Sequence, residues 1–326
     1  VKLKKDFMKL FSPARIHLGF LELDQTLPRF FGSMGLTVSN FYFEVQISKS
    51  KNLNIITEHK NLKKKTLDIF YKFKKKYNLN FCKIKIKNII PSHIGLGSGT
   101  QFSLTIGYLI SKINNLNISI DEIALFLNRG NRSGIGVQSF KEGGFTIDIG
   151  KKKDANNLPL KLTNIKWPQD WKIILLFDLK GDNVFGENEI SKFKEVNKRY
   201  RSKFNYNYST LFLKILPGII EKDFDSFTEG VQLIQSNMSE IFYKNSKKFF
   251  IKNINYIFDY LRKKKIKGFG QTSWGPTGFV FCEDSKKRNQ LLSSIEKYIT
   301  LKKLIGVDLV KVNGRNKGKF LIKDSL

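Results

Sequence analysis

Cysteine is scarce in this chain: two among 326 residues, Cys82 and Cys282, both inside apolar, strand-like stretches. Such a pair excludes a disulfide framework and suits buried free thiols in a reducing cytoplasm. Only three histidines occur, and no histidine or cysteine falls at ligand spacing, which argues against structural zinc. There is no run of about 18 apolar residues, so a membrane span is not expected. The opening residues lead into no long apolar core and no small-residue cleavage site, so neither is a secretory signal. These absences describe a soluble, cytoplasmic protein.

Negative charge is also in short supply. Against 28 acidic residues stand 58 lysines and arginines, a formal net charge of +30. The excess is mostly lysine, accompanied by abundant Asn, Ile and Phe, residue types that share A/T-rich codons. It is scattered, as in Lys49-Ser50-Lys51, Lys63-Lys64-Lys65, Lys74-Lys75-Lys76 and Lys263-Lys264-Lys265. A nucleic-acid face would concentrate lysines with arginines and stacking aromatics. Neither nucleic acid nor membrane is therefore expected as a partner, although long-range attraction for anionic substrates remains. At 41% hydrophobic the chain can bury a substantial core, and its length allows two domains. A homodimer is left open.

What is present is a glycine-rich turn, Pro91-Ser92-His93-Ile94-Gly95-Leu96-Gly97-Ser98-Gly99-Thr100-Gln101. Before it, Cys82, Ile84 and Ile86 alternate with Lys83, Lys85 and Lys87, the period of a half-exposed strand. After it, Phe102, Ile106, Leu109, Ile110 and Ile113 recur at helical spacing. Glycines remove the Cβ atoms that would keep the backbone from closing round a ligand. The first N–H groups of the helix then face that ligand with the positive end of its dipole behind them. Strand, glycine loop and helix together predict a phosphate cradle.

Along the rest of the chain, Phe41–Ile47 reads as a strand and Leu62–Tyr77 as a lysine-faced helix. Ser119-Ile120-Asp121-Glu122 has the form of a capping box opening a short helix. Lys151–Asn157 reads as a polar loop, which places a domain boundary there: residues 1–157 and 158–326. Beyond it come a buried strand at Trp171–Phe177, helical patterns across 187–265, and strands at Phe279–Cys282 and Val307–Val312. That order describes an α+β second domain.

Polar residues gather in four places: Pro13–Gly19 with Glu22, Asp24 and Arg29; the glycine loop; Arg129–Gly136 running on to Asp148; and Gly270–Thr277. Taken together, five segments resemble the β-ribofuranosylaminobenzene 5′-phosphate synthases, a non-kinase branch of the GHMP kinase superfamily. They are Ser12-Pro13-Ala14-Arg15-Ile16-His17, Gly95–Gln101, Arg129-Gly130 with Ser133-Gly134-Ile135-Gly136, Gly143-Gly144-Phe145 with Asp148, and Gly270-Gln271-Thr272-Ser273-Trp274-Gly275-Pro276-Thr277. Many GHMP kinases end a Ser-Gly-x-Asp motif with a catalytic aspartate; the matching residue here is Gly136, which cannot orient or deprotonate a hydroxyl.

The resemblance implies a two-domain α+β GHMP-kinase-like fold, with a ribosomal-protein-domain-like N-terminal half and a ferredoxin-like C-terminal half. It implies a phosphoribosyltransferase that condenses phosphoribosyl pyrophosphate with 4-aminobenzoate or 4-hydroxybenzoate, losing carbon dioxide and pyrophosphate, in methanopterin-type cofactor biosynthesis. On that footing Gly95, Gly97, Ser98, Gly99 and Thr100 would hold the pyrophosphate, with Gln101, Ser133, Gly134 and Gly136 in the same substrate-binding motifs. Arg15, Arg29 and Arg129 would meet phosphate or the benzoate carboxylate. Trp274 would stack on the acceptor ring, with Gln271 and Ser273 at its polar substituent. Glu22, Asp24 and Asp148 would flank the developing cation or, as Asp24 and Asp148, hold Mg²⁺. His17 is a candidate acid–base residue, with a satisfied structural histidine as the alternative; His59 and His93 receive no role. Rival readings are an ATP-dependent GHMP small-molecule kinase and a non-enzymatic nucleic-acid binder.

Overall fold

The computed structural model describes residues 7–24, 26–153, 155–179, 205–243, 252–273 and 275–324. Long alternating segments open the chain: β1 (Phe7–Phe20) passes through the two-residue β2 (Arg29–Phe30) into β3 (Ser33–Lys49), its antiparallel partner. β4 (Asn54–Ile56), α1 (Lys60–Lys76) and β5 (Cys82–Asn88) follow, and β5 pairs with both β3 and β4. The helix expected after the glycine turn is α2 (Ser98–Ile113), with the predicted face of Phe102, Ile106, Leu109, Ile110 and Ile113 buried. Ser119 and Glu122 make the expected capping box at the start of α3 (Ile120–Phe126), and α4 (Ile135–Lys141) comes next.

β6 (Phe145–Asp148) extends the first sheet beside β3. Where the sequence reads as a polar loop, Lys151–Lys152 forms a short strand, β7, against β2. The reason is Gly150, whose φ of +67° turns the chain back sharply. Hydrogen bonding also crosses the division at residue 157. β8 (Lys161–Ile165) pairs with β6.

β9 (Lys172–Asp178) is a continuous apolar run buried on both faces. Part of the helical region read from the sequence, 187–204 and 244–251, lies outside the described residues. The rest forms α5 (Asn205–Thr210), a π-helical turn at Leu211–Ile215, α6 (Leu216–Glu221), α7 (Phe224–Tyr243) and α8 (Lys252–Lys263). β10 (Phe269–Gln271), β11 (Thr277–Cys282), α9 (Ser285–Leu301) and β12 (Val307–Asn313) complete a second, antiparallel sheet in the order β10-β11-β9-β12. The final strand, β13 (Phe320–Asp324), returns to pair with β1 in the first sheet. Cys82 and Cys282 are both buried and unbridged. Among the described residues no helix is long and apolar enough to cross a membrane.

Period-two alternation in β9 and β11 divides the core. Ile174, Leu176, Val280 and Cys282 face α8, whereas Ile173, Leu175, Phe279 and Phe281 join the larger core under the first sheet. Trp167 ties the two sheets together. Its ring lies 6.4 Å from Phe145 of β6, 5.2 Å from Phe281 of β11 and 5.4 Å from Phe227 of α7. Its indole N–H donates to the Trp171 carbonyl at 3.2 Å. Trp167→Ala should therefore cost about 3–5 kcal/mol in urea unfolding. A loss under about 1 kcal/mol would show that this cluster does not join the sheets.

Candidate active site

Three of the four polar segments meet at one carbonyl. The pairing of β1 with β3 shifts register between Pro13 and Arg15 and again between His17 and Gly19. Such bulges re-aim the residues between them. There the Arg15 backbone N–H donates to the Leu96 carbonyl at 3.2 Å, and its Nη1 donates to the Gly95 carbonyl at 2.6 Å. The Thr272 hydroxyl donates to that same Gly95 oxygen at 3.0 Å and accepts the His17 N–H at 2.9 Å. One residue further back, Thr277 donates to the Ile94 carbonyl at 2.6 Å.

The loop closes because glycine occupies its tight points. Gly95 and Gly97 take φ values of +82° and +80°, in the left-handed region. A Cβ at Gly275 would stand 2.2 Å from the Gly95 nitrogen, so the two backbones lie against each other. Gly97 caps α2, and its carbonyl accepts from both Thr100 and Gln101 at 3.1 Å. No group among the described residues accepts from the N–H of Ser98 or Gly99.

Beside these N–H groups lies a cavity of about 350 Å³, lined by Ser98, Gly99, Thr100, Arg129, Lys65 and His93 among others. The Arg129 Nε donates to Ser103 at 3.0 Å, and Ser103 donates to the Gly99 carbonyl at 2.9 Å. The guanidinium is thus fixed to the first turn of α2. Burial lowers its pKa without threatening its charge. A helix N-terminus, an anchored arginine and a lysine around one opening form a grip for an anion.

Of the residues singled out in the sequence, Arg15, Gly95, Gly97, Ser98, Gly99, Thr100, Arg129 and Ser273 line this cavity. Others brace it from behind. Gln101 is buried and donates to the Gly136 carbonyl at 2.7 Å, and a Cβ at Gly136 would lie 3.0 Å from Thr100. Gln271 donates to the Gly275 carbonyl at 2.9 Å. Asp148 is wholly buried and accepts from Ser33 at 2.5 Å, and from the N–H groups of Gly134 and Gly150 at 3.0 Å each. Ser133 bonds the Ser33 hydroxyl at 2.7 Å. Glu22 and Arg29 line a different pocket, and Asp24 accepts the N–H and hydroxyl of Thr26. Trp274 lies outside the described residues.

Lys65 and His93 line the cavity although the sequence singled out neither. Lys65 belongs to one of several similar lysine runs, and nothing in its spacing marks it. His93 has φ +63° in the turn before the helix, a conformation that its type does not announce.

His17 does not fit an acid–base role. It is 5% exposed, its Nδ1 accepts the Gly19 N–H at 3.3 Å, and its ring packs 4.7 Å from Phe20. Burial, aided by the Arg15 charge, lowers its pKa from 6.5 to about 3. Asp148 moves the other way: burial outweighs its hydrogen bonds from Ser33, Gly150 and Gly134 and raises its pKa to about 7.

Comparison with known proteins follows the same lines. A family profile described as "GHMP kinases N terminal domain" matches residues 61–144. The chain is 30% identical over 248 residues to the beta-ribofuranosylphenol 5'-phosphate synthase of Methanocaldococcus jannaschii, spanning 69% of this chain and 75% of that protein. To the like-named protein of Methanothermobacter thermautotrophicus it is 25% identical over 331 residues, spanning 96% and 98%. Among solved structures, mevalonate diphosphate decarboxylase from Enterococcus faecalis superposes with a TM-score of 0.66 at 16% identity, over 98% of this chain and 100% of that one. Homoserine kinase from Cytophaga hutchinsonii gives 0.62 at 15%, over 99% of each. These likenesses establish the α+β GHMP-kinase fold that the sequence motifs imply.

His17 and Asp148, both buried, predict a measurable pH response. Below pH 6.5 the unfolded chain protonates His17 and the folded chain does not, so this residue removes stability as pH falls toward 3. Asp148 has the opposite sign, adding stability as pH falls from about 7 toward 3.8. His17→Gln should therefore gain stability relative to wild type between pH 6.5 and 5, by about 2 kcal/mol at the limiting slope. Urea midpoints at both pH values check this; parallel wild-type and variant curves would contradict a neutral, buried His17.

Proposed function

The chain belongs to the β-ribofuranosylphenol 5′-phosphate synthase family, and from that premise we propose that it is a phosphoribosyltransferase. It condenses phosphoribosyl pyrophosphate with a para-substituted benzoate, releasing carbon dioxide and pyrophosphate, in methanopterin-type cofactor biosynthesis. The phenol in the relatives' name favours 4-hydroxybenzoate as the acceptor. The observation that carries this reading is the anion grip at Ser98, Gly99, Thr100 and Arg129, with the Arg15–Gly95–Thr272 junction holding it open.

In this reading the loop receives the pyrophosphate of the donor. Each charge-assisted hydrogen bond there contributes about 1.5–3 kcal/mol. The bond from ribose C1 to pyrophosphate breaks, and the leaving group takes its electron pair. The ring carbon that bears the carboxylate supplies the pair for the new C–C bond. Loss of carbon dioxide returns a pair to the ring and restores aromaticity. No proton moves in this exchange of bonds, so a general base is not required. That agrees with a neutral His17 and with Gly136 where kinases carry aspartate. The demand falls on stabilising the leaving group and keeping water from the oxocarbenium-like ribose.

A magnesium site built from Asp24 and Asp148 does not fit the structure. Asp148 already accepts from three donors in the interior, and Asp24 holds Thr26. Among the described residues no three His, Cys, Asp or Glu side chains gather to hold a metal.

Carboxyl-labelled 4-hydroxybenzoate should release labelled carbon dioxide only when phosphoribosyl pyrophosphate is present. Arg129→Ala should lower kcat/KM about a hundredfold, as removal of one leaving-group donor does. No release with either 4-hydroxybenzoate or 4-aminobenzoate, from folded protein, would sink the proposal.

A further inference from the structure

A second, smaller pocket opens just past the C-terminal end of β1, at Leu21 and Glu22. It holds about 140 Å³, close to the ~150 Å³ apolar cavity that accommodates a benzene ring. Leu21, Phe30, Ile149 and Leu211 form its apolar walls. Leu162 and Phe212, 43% and 56% exposed, stand at its rim. Three polar side chains share this space: Glu22, Tyr208 and Arg29.

Glu22 is 3% exposed. Its Oε1 accepts the N–H groups of Leu23 and Asp24 at 2.8 and 2.7 Å, but among the described residues its Oε2 has only a long bond from the Tyr208 hydroxyl, 3.3 Å. A carboxylate oxygen walled by apolar groups and so weakly held favours a ligand that donates to it. Burial accordingly raises the Glu22 pKa, although the two backbone donors oppose it. Arg29 is half-buried and anchored by one bond to the Gly150 carbonyl at 2.8 Å. The fork of a guanidinium matches a carboxylate.

A chain of packed residues runs from the wall of this pocket to the glycine-loop cavity. Thr100 of the cavity packs on Gly136, the N–H of Gly134 bonds Asp148, and Gly32 and Ile149 beside Asp148 line the pocket. We propose that this pocket, with Glu22 and Tyr208 within it and half-buried Arg29 beside it, is the slot for the aromatic acceptor. It takes a flat ring carrying a hydroxyl that donates to Glu22 and, para to it, a carboxylate directed at Arg29. Gln271 and Ser273, assigned from the sequence to the polar substituent of the ring, are then not its contacts. The inference rests on the phosphoribosyltransferase reading for its choice of ligand, and on the pocket alone for its location.

The test is equilibrium binding of 4-hydroxybenzoate and benzoate, with inorganic pyrophosphate present, to wild type, Leu162→Trp and Tyr208→Phe. Wild type should bind 4-hydroxybenzoate at least about tenfold more tightly than benzoate, the worth of one hydrogen bond to a buried carboxylate. Leu162→Trp, filling the rim from an exposed position, should weaken 4-hydroxybenzoate at least tenfold and leave pyrophosphate affinity within twofold. Tyr208→Phe, which keeps the ring volume, should change the ratio between the two benzoates and guards against a misfolded tryptophan variant. Equal binding of the two benzoates by wild type, or unaltered acceptor binding in both variants, overturns the slot. Acceptor binding that is sensitive to Leu162→Trp without any turnover would instead retain the slot and remove the reaction.

Discussion

The site depends on a backbone-to-backbone contact between Gly95 and Gly275. No side chain fits between them, since a Cβ at Gly275 would lie 2.2 Å from the Gly95 nitrogen and one at Gly95 would lie 2.5 Å from the Thr272 carbonyl. That closeness brings the second sheet onto the first at the loop itself. Thr272 can then reach the Gly95 carbonyl from one side while Arg15 reaches it from the other. A loop held this way is set before any ligand arrives. Its N–H groups need little reordering to meet an anion, which is the condition for electrostatic stabilisation to lower a barrier.

The other polar groups divide into those that face the opening and those that hold it in shape. Arg129, Ser98 and Thr100 face it. Gln101 and Gln271 each donate to a backbone carbonyl of a neighbouring segment, and Asp148 accepts from the Ser33 hydroxyl and two backbone N–H groups. With the proposed reaction, this division lets a fold shared with kinases serve chemistry without proton transfer. In that reading the glycine loop keeps its scaffold, and Gly136, where the resemblance puts a kinase base, leaves Thr100 room to pack against its bare backbone.

Much of this was legible in the chain. The alternation around Cys82 and the spacing from Phe102 to Ile113 predicted β5 and α2, because one-sided burial writes a period into sequence. The glycines of the loop marked its turns because positive φ demands them. What could not be read is whatever depends on distant residues meeting. Glu22 and Asp148 both look like free carboxylates in a string of letters, yet one sits beside Tyr208 in an apolar pocket and the other against Ser33 and two backbone N–H groups. Nor does the sequence announce that β13 crosses back to β1, since such pairing leaves no local period. Lys63, Lys64 and Lys65 are all exposed, yet only Lys65 of the run lines the cavity, a difference made by helix phase that one segment does not show.

Gly99 offers the most direct test of the grip. An added methyl there would meet only Arg129 Nη1, at 3.8 Å, in otherwise open space at the cavity. Gly99→Ala should therefore fold with an unchanged or higher Tm, since alanine favours a helix. In calorimetric titration with phosphoribosyl pyrophosphate it should bind at least about tenfold more weakly than wild type, a loss of about 1.4 kcal/mol. Equal affinity in variant and wild type would show that the donor does not bind in this loop.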